Sequence, residues 1–102
     1  MFQQITAQEA KQIMDTEPTA VVLDVREQEE FDAGHIPSAI LLPYGNIATE
    51  AERVLPDKTQ KILVYCRSGR RSKIAAQALA ELGYTDILEF GGILDWPYEI
   101  TK

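Results

Sequence analysis

Two short segments constrain the fold of this chain more than any other feature. Ala20-Val21-Val22-Leu23-Asp24-Val25 and Lys61-Ile62-Leu63-Val64-Tyr65 are almost unbroken apolar runs, rich in β-branched residues and without the polar alternation of a strand that has one wet face. Strands of this kind are covered on both sides. The segments around them have helical spacing, and strands that alternate with helices imply a mainly parallel sheet with helices on both faces, an α/β fold.

The remaining elements follow from caps and breakers. Thr6-Ala7-Gln8-Glu9 has the form of a capping box and starts a helix over about residues 7–15, with Pro18 beyond its end. Glu27 to Ala33 reads as a short helix with acids in its first turn and Gly34 as the residue that stops it. Ala39 to Leu42 is a short strand ended by Pro43, and Ile47 to Val54 is a helix before Pro56. Ser72 to Leu82 is the clearest helix: Ile74, Ala75, Ala78, Leu79 and Leu82 share a face, and Gly83 follows. Asp86 to Phe90 makes the last strand before Gly91-Gly92, and a short helix is expected over Leu94 to Trp96, limited by Pro97. No repeat or linker divides the sequence, so residues 1–102 are read as a single domain, large enough to form one core without disulfides.

Composition narrows the function. The one cysteine, Cys66, excludes an internal disulfide, and with the one histidine, His35, it leaves no ligand set for structural zinc. No metal or cofactor is expected. No apolar run approaches the length of a membrane span and the first residues lack the pattern of a signal peptide, so the expectation is a cytoplasmic protein with no membrane partner. The net charge is −6, yet Cys66-Arg67-Ser68-Gly69-Arg70-Arg71-Ser72-Lys73 holds four cations and no acid, which leaves −10 on the other 94 residues. Nucleic acid is excluded, because its affinity needs extended basic surfaces. A small anion suits one local positive site.

That basic segment also carries the chemistry. A strand ending in Cys66, a turn of Arg67, Ser68, Gly69 and Arg70, then Arg71 and a helix would curl backbone N–H groups inward, with Gly69 free to take a positive φ. The helix adds its own unpaired amides and the positive end of its dipole. A cysteine in such a setting has its pKa lowered, so Cys66 is expected to be a thiolate at neutral pH and open to reagents. A lone cysteine at a strand end is more often a small core residue. Three neighbouring arginines favour the nucleophile, since gathering them is costly without an anion.

These blocks, in this order, resemble the rhodanese-like single-domain sulfurtransferases. The likeness rests on Leu23-Asp24-Val25-Arg26-Glu27, on Glu30-Phe31 with Gly34-His35-Ile36-Pro37, on the Cys66 to Ser72 loop, and on Gly91-Gly92-Ile93-Leu94-Asp95-Trp96. Ser38 departs from it, standing where the family often has Gly. The resemblance implies a doubly wound, mostly parallel five-stranded sheet with helices on both faces. It implies that Cys66 carries sulfane sulfur as a persulfide, taken from thiosulfate or another small anionic donor. It further implies an acceptor such as cyanide, a small thiol or a protein thiol. Arg67, Ser68, Gly69, Arg70, Arg71 and Ser72 are then the substrate-binding residues. With no second cysteine in the sequence, unloading must be intermolecular, and nothing in it requires more than a monomer.

Other residues have plainer readings. His35 is assigned a hydrogen bond at a helix end. Asp24 and Arg26 are assigned an ion pair or a brace near the Cys66 loop, and Glu27, Glu29 and Glu30 a solvated helix face. Trp96, Tyr44 and Tyr98 either wall a pocket or pack the core, and Ser72 is a helix N-cap, a lip of the anion cradle, or both. Two rivals remain. One is a cysteine phosphatase or arsenate reductase, disfavoured because only four residues separate Cys66 from Arg71, against five in that pattern, and because Tyr65 replaces the His common before the nucleophile. The other is a regulatory module without catalysis, disfavoured because Cys66 and its basic loop are both present.

Overall fold

A computed structural model describes residues 1–102. Five strands form the sheet: β1 (Gln3–Gln4), β2 (Val21–Asp24), β3 (Ile40–Leu41), β4 (Ile62–Cys66) and β5 (Ile87–Gly92). Four helices accompany them: α1 (Ala7–Thr16), α2 (Gln28–Ala33), α3 (Ile47–Val54) and α4 (Arg70–Glu81). The strand order is β1-β5-β4-β2-β3, and every pairing is parallel.

The two apolar runs became β2 and β4, which lie side by side near the centre, with Leu23 beside Val64 and Asp24 beside Tyr65. Alternation along them divides the core in two, as side chains on a strand point to opposite faces. On one face Leu23, Val25, Ile62, Val64, Cys66 and Ile87 pack with Ile47 and Ala51 of α3 and Ala75, Ala76 and Leu79 of α4. On the other, Val22, Leu63, Tyr65, Leu88 and Phe90 pack with Ala10 of α1, Ile36 and Trp96. The need to cover both faces explains why neither run alternates.

Local signals placed most boundaries. The capping box forms: Glu9 N–H donates to Thr6 Oγ1 at 3.0 Å and Thr6 N–H to Glu9 Oε1 at 2.9 Å. Gly83 follows α4 with φ +99° and donates its N–H to the Ala80 carbonyl. Three expectations need correction. The first strand, Gln3–Gln4, has no apolar pattern and was not foreseen; it exists because the edge of β5 offers it a partner, with Gln3 against Leu88. Helix α4 begins at Arg70, two residues before the expected Ser72, because Gly69 rather than Ser72 turns the chain into it. The segment before Trp96 is a single 3-10 turn, Ile93–Asp95. No helix is long and apolar enough to cross a membrane.

Candidate active site

Cys66 is the last residue of β4, at the carboxyl edge of the sheet, where ligands of open parallel α/β sheets bind. Between Val64 and Cys66 the pairing with β5 slips by one residue, so Val64 lies opposite Glu89 but Cys66 lies opposite Gly92. This irregularity sets Gly92 directly beneath the loop. A Cβ there would fall 2.0 Å from the Arg67 carbonyl oxygen and 2.6 Å from the Ser68 nitrogen, so only glycine allows the loop to close on β5. The Leu94 N–H then ties the same Arg67 carbonyl at 3.2 Å.

The loop curls as its residues require. Gly69 takes φ +115°, a conformation that side chains rarely adopt, and its N–H points inward to donate to Cys66 Sγ at 3.0 Å. Ser72, in the first turn of α4, places its hydroxyl 3.4 Å from the same sulfur. Burial opposes ionisation of Cys66, but hydrogen bonds from the Ser72 hydroxyl and from the N–H groups of Ser72, Gly69 and Ser68 outweigh it, and the thiol pKa is lowered. The expectation of a depressed pKa is met, but that of an open thiol is not. Cys66 is only 1% exposed, so its sulfur can be reached only through the ring of loop amides and not as a free side chain.

The six loop residues divide. Arg67, Ser68 and Arg70 are exposed around the sulfur, while Gly69 and Ser72 are buried beside it. Arg71 faces elsewhere: its Nη1 and Nη2 donate to Glu30 Oε1 and Oε2 of α2 at 2.7 and 2.9 Å, both side chains being half-buried. Glu30 is therefore not the solvated acid expected from its run. The bond from Arg71, joined by the Glu27 N–H, holds its carboxyl down at about 2 against the opposition of burial. Arg67 and Arg70 take part in no ion pair and carry the local positive charge. Ser72 is no N-cap; Gly69 holds that place.

One residue was missed altogether. Glu89 lies on β5 beneath the loop, 2% exposed, with Oε2 2.5 Å from Ser72 Oγ and 2.8 Å from the Gly91 N–H that donates to it. The only signal in the sequence was an acid inside the apolar run Ile87-Leu88-Glu89-Phe90.

Of the plainer readings, those of a helix-end hydrogen bond for His35 and an ion pair between Asp24 and Arg26 are met. His35 Nδ1 lies 2.9 Å from the Phe31 carbonyl at the end of α2, and its ring stacks on Phe31. Asp24 and Arg26 form a buried ion pair at 2.7 Å, but the pair braces the 34–36 segment on the far face rather than the Cys66 loop. Arg26 Nη2 donates to the Gly34 carbonyl at 2.7 Å, and Tyr65, which donates its hydroxyl to Asp24 at 2.6 Å, accepts the Ile36 N–H at 3.1 Å. Tyr44 packs on the Cys66-side core. Trp96 and Tyr98 sit on the opposite face, where Trp96 packs against Phe90 and both line a cavity of about 230 Å³ with Ile36 and Pro37.

A parallel α/β sheet that presents one cysteine in a curled, basic loop at its carboxyl edge defines a class of α/β domains with a loop-held cysteine. Comparison with known proteins specifies it: residues 6–98 match the rhodanese-like domain, and the chain belongs to that family. The thiosulfate sulfurtransferase PspE of Escherichia coli is 36% identical over 73 residues, covering 72% of this chain and 70% of that protein. The thiosulfate sulfurtransferase GlpE of Coxiella burnetii is 32% identical over 97 residues, covering 94% and 88%. A longer Bacillus subtilis protein, YrkF, is 32% identical over 91% of this chain, which spans 50% of its length. Among solved structures, a rhodanese with anions from E. coli superposes with a TM-score of 0.76 at 32% identity, covering 81% of this chain and 98% of that one. A rhodanese-related protein of Thermoplasma volcanium does so with a TM-score of 0.83 at 28% identity, covering 97% of each. These similarities support sulfur transfer in general.

Proposed function

We propose that the chain is a sulfurtransferase that carries sulfane sulfur on Cys66, from a small anionic donor such as thiosulfate to a thiol or to cyanide. The observation that carries this reading is the sulfur itself, held at the end of β4 by the Gly69 amide at 3.0 Å and the Ser72 hydroxyl at 3.4 Å with its pKa lowered. The thiolate attacks the outer sulfur of thiosulfate; the S–S bond of the donor breaks, sulfite leaves with the bonding pair, and Cys66 is left as a persulfide anion. Loop amides that hold the thiolate are placed to hold the charged outer sulfur in its turn. The acceptor attacks that sulfur and restores the thiolate. Arg67 and Arg70 attract the anionic donor from outside the ring.

The phosphatase reading gains no support from the geometry, because Arg71, the guanidinium it would need for a phosphoryl group, is held by Glu30. Intact-protein mass spectrometry tests the proposal. Thiosulfate should add the mass of one sulfur atom to the wild type and none to Cys66→Ser. An unchanged wild type, or hydrolysis of an aryl phosphate that disappears in Cys66→Ser, would reverse the assignment.

A further inference from the structure

The Ser72 hydroxyl has one proton and too many acceptors. Its oxygen lies 2.5 Å from Glu89 Oε2, 3.0 Å from the Gly69 carbonyl, 3.3 Å from the Gly91 carbonyl and 3.4 Å from Cys66 Sγ. While Glu89 is ionised, the short contact to a carboxylate claims that proton. Ser72 can then only accept from Cys66, so its hydroxyl favours the thiol and leaves a thiolate to the loop amides alone. If the hydroxyl turns its own proton to a thiolate, the 2.5 Å contact is left between two oxygens, and a proton on Glu89 Oε2 is what fills it.

Two arrangements therefore satisfy all three groups with the same atoms and one shared proton. In the first, Cys66 S–H donates to Ser72 and Ser72 O–H to the Glu89 carboxylate. In the second, Glu89 O–H donates to Ser72 and Ser72 O–H to the Cys66 thiolate. Two influences oppose each other at Glu89: the Gly91 N–H on Oε2, Gln4 Nε2 3.4 Å from Oε1 and the Lys73 ion pair at 3.9 Å favour the carboxylate of the first arrangement, and burial, at 2% exposure, penalises its charge and favours the second. Around the sulfur, Arg71 is neutralised by Glu30, and Arg67 and Arg70 lie on the exposed rim.

We propose that Glu89 is the proton acceptor for Cys66, acting through Ser72, so that the thiolate forms above a neutral carboxyl group. The Sγ–H bond breaks as a Ser72 Oγ–H bond forms, and the proton that Ser72 held passes to Glu89 Oε2. No net charge is created in the buried site. An incoming donor anion therefore meets one negative charge there instead of two. Glu89 touches neither sulfur nor donor; it is a positioning residue for the reaction proposed above, and the inference rests on that reading only in giving the thiolate its use.

Three measurements on the full chain test it. Thiolate ultraviolet absorbance and iodoacetamide alkylation rate, followed against pH, should rise in two steps in the wild type, because the pair shares one proton across an intermediate range. Glu89→Gln, whose amide can still donate to Ser72 but cannot take a proton, should merge these into one step. Ser72→Ala should lower the alkylation rate at neutral pH about tenfold, the loss expected for a hydrogen bond to a charged group. Infrared difference spectra of the wild type should show a carboxylic acid band that persists into the pH range where the thiolate first absorbs and is missing in Glu89→Gln. A single step in the wild type, or no such band where the thiolate absorbs, overturns the proposal. All three measurements are independent of sulfur loading, so failure to load from thiosulfate would sink the sulfurtransferase reading and leave this one standing.

Discussion

Arg71 gives both terminal nitrogens to the carboxylate of Glu30, 41 residues earlier in the chain, at 2.7 and 2.9 Å. This forked bond clamps the first turn of α4, and with it Ser72 and the mouth of the Cys66 loop, to α2. One of the three arginines assigned to substrate binding thus already holds an anion of its own protein.

Breaking the clamp should affect stability and transfer together. Arg71→Ala and Glu30→Gln should each lower stability by about 1–2 kcal/mol, and the double variant should cost less than the sum, since the two residues share one interaction. Chemical denaturation of the four proteins gives the coupling. Strict additivity would show that the pair contributes nothing.

The same pair sets an acid limit. Glu30 has a folded-state pKa of about 2 against an ordinary 4.5, so its contribution is complete above pH 4.5 and is lost as the pH falls towards 2. The stability difference between wild type and Glu30→Gln should shrink through that window and be constant from pH 5 to 8. A difference that persists at pH 2 would contradict the assignment.

Cys66 should titrate below the ordinary thiol value of about 8.5, because the amides of Gly69, Ser68 and Ser72 and the Ser72 hydroxyl favour the thiolate over burial. Its 1% exposure adds a size rule: iodoacetamide should react much faster than a bulky maleimide. Equal rates at matched intrinsic reactivity would mean that the loop opens freely.

Gly92→Ala should be the most damaging single methyl group in the molecule. Its Cβ would lie 2.0 Å from the Arg67 carbonyl oxygen, so the loop must lift away from β5. Overpacking of this kind costs about 1–3 kcal/mol, and loading of Cys66 should fall far more than the melting temperature.

Tyr65→Phe is the complementary control. It leaves the buried Asp24 carboxylate and the Ile36 N–H each without one partner, at a cost of about 1–3 kcal/mol. Tyr65 points to the face opposite Cys66, so thermal denaturation should shift while the pH profile of alkylation does not. Movement of that profile would mean that the two faces of the sheet are coupled.

What the sequence by itself determined about this protein is whatever depends on near neighbours. Val21 to Val25 and Ile62 to Tyr65 could only be covered strands, Thr6 and Glu9 cap each other across three residues, Gly83 stops a helix, and Cys66 enters a turn whose Gly69 permits the inward curl. Tertiary structure decided the rest, because it concerns groups that meet only once the sheet is built. Gln3 and Gln4 carry no strand signal, and β5 recruits them through unpaired backbone groups. Arg71 is committed to Glu30 of α2, and Glu89, opposite Val64 where β5 pairs with β4, stands beneath Ser72, 17 residues away in the chain. A charged side chain shows its type in a sequence but not its partner; in a folded interior the partner decides whether that charge is spent, shared or left free for a ligand.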